Sequence, residues 1–291
     1  MPAAKLAGLT IYCKRDDLFI LRPGTALQGN KVRKLLPTLL AARTGQHYLS
    51  FGGAYSNHLA ALAVAHRDFG LSVTCFVRGG ERPTPQLQLA ESCGLPLVRL
   101  TRSAYRHRND PAWLMEMRQR LAHERQLNPA DVLIIPEGGS TPAGILACGE
   151  ALTETTVQLG NPPDFFCLSA GTGGTAAGVI SAATTATTVE VFPALPGNWM
   201  RREITAKLPR PPAAPWRVFP EYALNGYAKY PAAWRTDTPG LNARADLGVA
   251  GLPPLEPIYT AKLFRGVLTR MAAGHYPRGG TVVILHTGGI Y

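Results

Sequence analysis

Short apolar runs alternate with segments of helical periodicity through most of this chain, and that alternation constrains its fold more than any other feature. Runs of strand length, rich in β-branched and aromatic residues, occupy 47–51, 72–77, 96–100, 131–135, 164–169, 189–192 and 281–286. Between them, apolar residues recur at helical spacing over 56–69, 84–93, 111–125, 141–159 and 175–183. Strand, helix, strand, helix predicts α/β architecture with open parallel sheets covered on both faces. Residues 209–257 break the rhythm. Pro209, Pro211, Pro212 and Pro215 are followed by Trp216, Phe219, Tyr222, Tyr227, Tyr230 and Trp234. Aromatics that dense need a surface to pack on, so this stretch reads as an irregular, packed excursion.

Composition excludes several classes. With 46% hydrophobic and 17% charged residues, a disordered chain is excluded. No apolar run approaches the ~18 residues of a membrane helix. Met1 to Lys5 leads into no apolar signal core, so a cytoplasmic protein is expected. The five cysteines (13, 75, 93, 148 and 167) are odd in number and form no Cys-x-x-Cys. Neither a disulfide framework nor a metal site is expected, and a reducing compartment fits. The net charge of +11 comes mostly from arginine, which crowds between Arg99 and Arg125. Acids interleave there without an aromatic stripe, which reads as a solvated helical face and not a nucleic-acid surface. Lysine is scarce: residues 5, 14, 31, 34, 207, 229 and 262 complete the set, leaving few candidates for lysine chemistry.

Four glycine-containing turns adjoin these elements: 28–31, 52–58, 171–175 and 286–289. In parallel sheets, ligands bind at the carboxyl ends of the strands, and three of these turns follow strands directly. Gly171-Thr172-Gly173-Gly174-Thr175 opens a helix. Small residues there let backbone N–H groups approach an anion, which suits a phosphate cradle. The dinucleotide pattern G-x-G-x-x-G would need glycine at Ala176, so an oxidoreductase reading of this turn is weaker. Asn30 reads as an N-cap and places Lys31 in a first helical turn, where a cation is disfavoured unless it serves a purpose such as imine formation. Arg33 and Lys34 read as surface charges. Ser56, Asn57 and His58 present a hydroxyl, an amide and an imidazole together at a helix start. Ser56 and Asn57 would serve equally well as plain caps.

Taken together, Asn30-Lys31-x-Arg33-Lys34-Leu35, Gly52 to His58, Pro136-Glu137-Gly138-Gly139-Ser140, Gly171 to Thr175, Pro257-Ile258-Tyr259-Thr260-Ala261-Lys262 and His286-Thr287-Gly288-Gly289 resemble a known family. Their order and spacing are similar to those of the 1-aminocyclopropane-1-carboxylate deaminase / D-cysteine desulfhydrase family. These are pyridoxal 5'-phosphate (PLP) enzymes of fold type II, the tryptophan synthase β-like architecture. The resemblance implies two domains with the cofactor between them: a smaller one at 42–145, and a larger one joining 1–41 to 146–291. It implies that Lys31 carries the cofactor as an imine, that Asn57 bonds its 3-hydroxyl oxygen, and that Gly171, Thr172, Gly173, Gly174 and Thr175 hold its phosphate. Ser56 would hold the substrate carboxylate or move a proton. Tyr227 and Tyr259 would line the substrate side. Thr260 or Thr287 would face the pyridine nitrogen.

The implied reaction is a lyase or deaminase reaction on a small amino acid, in a homodimer with neither nucleic-acid nor membrane partners. Two departures favour the desulfhydrase branch. The deaminases proper resemble Ser-Asn-Gln where this chain has Ser56-Asn57-His58, and they carry glutamate where it has Thr260. The expectation is therefore β-elimination from a D-cysteine-like substrate. Cyclopropane ring opening is the alternative, and a non-catalytic PLP or amino-acid binding protein is the alternative of another class.

Overall fold

The computed structural model describes residues 3–6, 8–79, 82–234 and 251–289. They divide into two compact units, one made of 1–20, 28–30 and 145–291 and the other of 21–27 and 31–144. The chain begins in the first unit with β1 (Ala3–Leu6) and β2 (Leu9–Arg15), an antiparallel pair. Helix α1 (Asn30–Ala41) follows. Its residues from Lys31 onward belong to the second unit, whereas the division expected from sequence kept them with the larger domain. The reason lies in the helix face: Val32 and Leu35 are fully buried and join the second unit's core.

The second unit continues through β3 (His47–Gly53), α2 (Asn57–Phe69), β4 (Val73–Arg78), α3 (Pro85–Ser92), β5 (Leu97–Leu100), α4 (Arg102–Arg106), α5 (Pro111–Glu124) and β6 (Val132–Ile135). Its four strands form a parallel sheet in the order β5-β4-β3-β6. Alternate residues feed opposite faces. Tyr48, Cys75 and Val77 pack with Leu59 and Leu62 of α2, while Leu49, Phe51 and Phe76 pack with Met117 and Leu121 of α5. Local sequence sets the helix ends. Thr84 and Asp110 accept backbone N–H groups as N-caps, each followed by proline at the first helical position.

The chain returns to the first unit through α6 (Pro142–Cys148) and continues with α7 (Glu150–Leu159), β7 (Phe165–Ala170), α8 (Gly174–Ala182), β8 (Thr188–Pro193), α9 (Trp199–Thr205), β9 (Trp216–Val218), α10 (Thr260–Ala272) and β10 (Thr281–His286). The sheet order is β1-β2-β10-β7-β8-β9, parallel except for β1. Val283 and Leu285 of β10 pack with Val179 and Ile180 of α8, and Val282 and Ile284 pack with Phe264 and Val267 of α10. Both sheets are therefore covered on both faces, as the alternating pattern requires.

All the strands expected from the pattern form, each within two residues of its expected bounds. The helix expected over 141–159 is two helices, because the chain is interrupted at Gly149, whose backbone lies against Gly178 and Ala182. Within the Pro-rich stretch, β9 adds a strand, and Phe219 and Tyr222 stack against Phe192. Residues 235–250 of that stretch lie outside the described residues. Among the described residues, no helix is long and apolar enough to cross a membrane.

Candidate functional site

In the first unit, β7 ends at Ala170 and the glycine turn leads into α8. Gly173 is the N-cap, with φ +79, a left-handed conformation that strains any residue with a Cβ. The helix end is thus capped by glycine and offers backbone N–H groups and partial positive charge, which suits an anion such as a phosphate. The Asn30 amide donates to Thr175 Oγ1 at 3.0 Å. This replaces the expectation that Asn30 caps its own helix: its side chain reaches α8 instead. With its oxygen accepting from Asn30, the Thr175 hydroxyl keeps its own proton to donate.

A Cβ on Gly171 would lie 3.0 Å from Tyr259 Cε1 and 3.1 Å from its hydroxyl, so the first glycine of the turn backs directly on the Tyr259 ring. Tyr259 donates to the Tyr227 hydroxyl at 3.2 Å, and the two rings meet edge to face at 6.0 Å. The structure therefore brings the glycine turn and both expected tyrosines together. At Gly173 the neighbours differ: a Cβ there would lie 3.1 Å from Ile204 Cγ1 and 3.5 Å from Met200 Sδ, both on α9.

Tyr227 sits on a loop with unusual backbone. Leu224 and Ala228 have φ +56 and +53, and Gly226 has φ +122. Lys262, 1% exposed, holds this loop. Its ammonium donates to the carbonyls of Ala194 (3.1 Å), Ala223 (2.9 Å) and Gly226 (2.7 Å). Burial lowers its pKa to about 8, opposed by the Glu256 carboxylate. Glu256 is itself buried and accepts N–H groups from Ile258 and Tyr259, both at 2.8 Å. Burial raises its pKa to about 7, against those hydrogen bonds and the Lys262 charge. Thr260, also fully buried, donates its hydroxyl proton to the Glu256 carbonyl at 2.9 Å. Thr287 follows β10, and its carbonyl accepts the Asn30 N–H at 3.2 Å.

In the second unit, Lys31 lies in the first turn of α1. The Ser56 hydroxyl oxygen accepts N–H groups from His58 (3.2 Å) and Leu59 (3.4 Å), so Ser56 is a true N-cap of α2, with Asn57 opening the helix. Its oxygen is occupied by that cap while its proton can still be donated. His58 is 1% exposed, and its Nε2 lies 2.9 Å from Ser50 Oγ. Ser50 donates onward to the Ile135 carbonyl at 2.9 Å, so Nε2 carries the imidazole proton. His58 Nδ1 has no hydrogen-bond partner. Burial first, then the charges of Lys31 and Lys34, push the His58 pKa well down and keep the ring neutral.

Arg33 and Lys34, expected at the surface, are buried at 3% and 2% exposure. Lys34 Nζ donates to the Gly138 carbonyl at 3.1 Å and lies 3.4 Å from Ser140 Oγ. A motif read only as a family marker, Pro136 to Ser140, thus supplies acceptors for a buried cation. Sequence reasoning also missed Glu256 and the tethering role of Lys262. Glu256 had a signal in its place four residues before the first residue of α10, where a carboxylate meets helix N–H groups. The buried state of Lys34 had none, because an Arg-Lys pair reads the same on an exposed helix face.

Several lysines are accounted for by other partners. Lys262 is held by three carbonyls, Lys14 pairs with Glu154, and Lys207 pairs with Glu203. Residues 2–197 match the family described as "Pyridoxal-phosphate dependent enzyme". A protein of Pyrococcus abyssi, provisionally named 1-aminocyclopropane-1-carboxylate deaminase, is 27% identical over 97% of this chain and 85% of its own length. A D-cysteine desulfhydrase of Klebsiella pneumoniae is 26% identical over 97% of this chain and 87% of its own. A crystal structure of an ACC deaminase homologue superposes with a TM-score of 0.74 at 24% identity, covering 98% of this chain and 86% of that one.

Proposed function

Since the chain belongs to the pyridoxal-phosphate-dependent enzyme family, we propose that it eliminates a leaving group from the β-carbon of a small amino acid, giving a 2-oxo acid and ammonia, with a D-cysteine-like substrate first in line. The observation that carries this reading is the Tyr259–Tyr227 hydroxyl pair packed on Gly171 at the head of the glycine turn. Two phenols in contact beside an anion-binding turn can orient a small polar substrate and relay one proton.

PLP, when bound, supplies the electron sink that makes the substrate's α-proton acidic. The chain's own residues have the following proposed roles. Lys31 binds the cofactor and then acts as base at the α-carbon. Asn57 bonds the cofactor's 3-hydroxyl oxygen. Gly171 to Thr175 hold its phosphate, with the Thr175 hydroxyl donating. Ser56 donates its proton to the substrate carboxylate while its oxygen caps α2. Of the two threonines considered for the pyridine nitrogen, Thr287 is the one proposed, because the Thr260 proton is committed to the Glu256 carbonyl. The carboxylate of Glu256 is turned to backbone N–H groups, which leaves the ring nitrogen a neutral partner and a milder electron sink.

The curated relatives carry both activities in their names, and ring opening of the cyclopropane acid is the second reading. The test is one preparation assayed for sulfide from D- and L-cysteine and for 2-oxobutanoate from 1-aminocyclopropane-1-carboxylate. Absence of 2-oxo acid from every amino acid tried, with PLP bound, would favour a binding protein instead.

A further inference from the structure

His286 closes β10 with no solvent exposure, and both its ring nitrogens have partners of fixed polarity. Nε2 lies 2.7 Å from the Pro254 carbonyl, which can only accept. Nδ1 lies 3.2 Å from the Gly288 N–H, which can only donate. The geometry therefore assigns one tautomer: the proton is on Nε2, and Nδ1 keeps its lone pair. Two charged groups face the ring. Asp17 Oδ1 is 3.5 Å from the same Nδ1, and Arg15 grips Asp17 through Nε (2.8 Å) and Nη2 (2.7 Å). The Phe264 ring of α10 lies at 6.4 Å and adds no charge.

Between His286 and Gly288 stands Thr287. Its carbonyl accepts the Asn30 N–H, and Gly29 abuts the same carbonyl. Asn30 in turn donates to Thr175. A single bond from Gly288 to the imidazole thus fixes the turn that carries Thr287 and the residue directly before Lys31.

We propose that His286 is a positioning residue for the cofactor site, whose neutral Nε2–H tautomer tethers Gly288 and so sets Thr287 and Asn30. This rests on the reading that Thr287 and the glycine turn serve PLP. Protonation at Nδ1 would turn the ring's donor toward Asp17, and Gly288 would lose its acceptor. Burial opposes that protonation and Asp17 favours it, with the net pKa below the ordinary value.

Two isosteres separate the ring's two bonds. In His286→Asn the side-chain oxygen takes the place of Nδ1 and can still accept from Gly288. In His286→Gln the amide nitrogen takes the place of Nε2 and can still donate to Pro254, while the Gly288 acceptor is gone. Long-range ¹H–¹⁵N spectra of the cofactor-free full chain should show two histidines, His58 and His286, with bare Nδ1 and protonated Nε2 that hold to lower pH than exposed histidines. Both His286 variants should lose one of these two signals and keep the other. PLP affinity should fall about tenfold in His286→Gln and stay near wild type in His286→Asn, with similar melting temperatures.

An Nδ1–H tautomer would overturn the proposal. So would equal affinity in both variants, and so would equal loss in both, which is what a merely structural histidine would give. A wild-type chain that takes up no PLP would overturn the cofactor reading, an outcome the tautomer spectrum distinguishes because it needs no cofactor.

Discussion

The Asn30 amide donates to the Thr175 hydroxyl at 3.0 Å across 145 positions of sequence. This bond ties the residue before Lys31 to the first turn of α8, and it dictates the direction of the Thr175 proton. Asn30→Ala removes it without touching any lysine. PLP affinity should drop about tenfold, roughly 1.4 kcal/mol, while stability falls by about 1 kcal/mol, the ordinary value of one hydrogen bond. Titration of the cofactor-free variant with PLP, followed by absorbance, checks the first, and urea unfolding checks the second. A loss of stability without loss of affinity would separate the bond from the phosphate site.

Lysine assignment has a direct test. Lys31→Ala should abolish the visible absorbance band, and borohydride reduction of the wild type should fix the cofactor on Lys31. Lys262→Met should keep the band and the adduct. It should nonetheless destabilise the protein by roughly 3 kcal/mol, because buried carbonyls of Ala194, Ala223 and Gly226 lose their donor. Mapping of the adduct to Lys229 or Lys262 would refute the assignment.

Gly173→Ala should act mainly on folding. The φ of +79 costs a residue with a Cβ about 1–2 kcal/mol, and its Cβ would lie 3.1 Å from Ile204 Cγ1. Stability should fall by at least that range, with PLP affinity of the folded fraction near wild type. Gly171→Ala should do the reverse, because its Cβ meets the Tyr259 ring. Calorimetry and PLP titration of the pair distinguish them.

Much of this fold was legible because burial on both faces of a parallel strand leaves a continuous apolar run, as in 47–51 and 281–286. What escaped was set by partners distant in sequence. β2 opens on the short apolar run Leu9 to Cys13, but Lys14 and Arg15 end that run, and pairing with β10 carries the strand through them. Lys34 and Lys262 look solvated in sequence, and only the carbonyls brought to them by the fold make them buried anchors. The motifs marked the places of chemistry, whereas the buried charges supporting those places came from tertiary packing.

Glu256 and Lys262 predict opposite limbs in stability against pH. Glu256 has its folded pKa raised from 4.5 to about 7, so the stability it contributes is present below 4.5 and is lost as pH rises through 7. Lys262 has its folded pKa lowered from 10.5 to about 8, so its contribution is present above 10.5 and is lost as pH falls through 8. Glu256→Gln mimics the protonated carboxyl at every pH. Relative to that variant, the wild type should lose about 2.5 kcal/mol between pH 5 and pH 8. Urea midpoints of both proteins across that range provide the measurement. A constant difference would mean that Glu256 does not titrate there.

The substrate branch turns on what faces the pyridine nitrogen. Opening an unactivated cyclopropane ring demands a strong electron sink, which a carboxylate paired with a protonated nitrogen supplies. Loss of a thiol demands less, because thiolate leaves readily. Here the buried carboxylate near α10 is bound to the N–H groups of Ile258 and Tyr259, and Thr260 donates to the Glu256 carbonyl. Sulfide release from D-cysteine should therefore exceed 2-oxobutanoate release from the cyclopropane acid by at least about tenfold in kcat/KM. Thr260→Glu should narrow that ratio if the carboxylate reaches the ring, and Thr287→Ala should lower turnover of both substrates. Efficient ring opening with no sulfide from D-cysteine would reverse the assignment and show that neither threonine sets the branch.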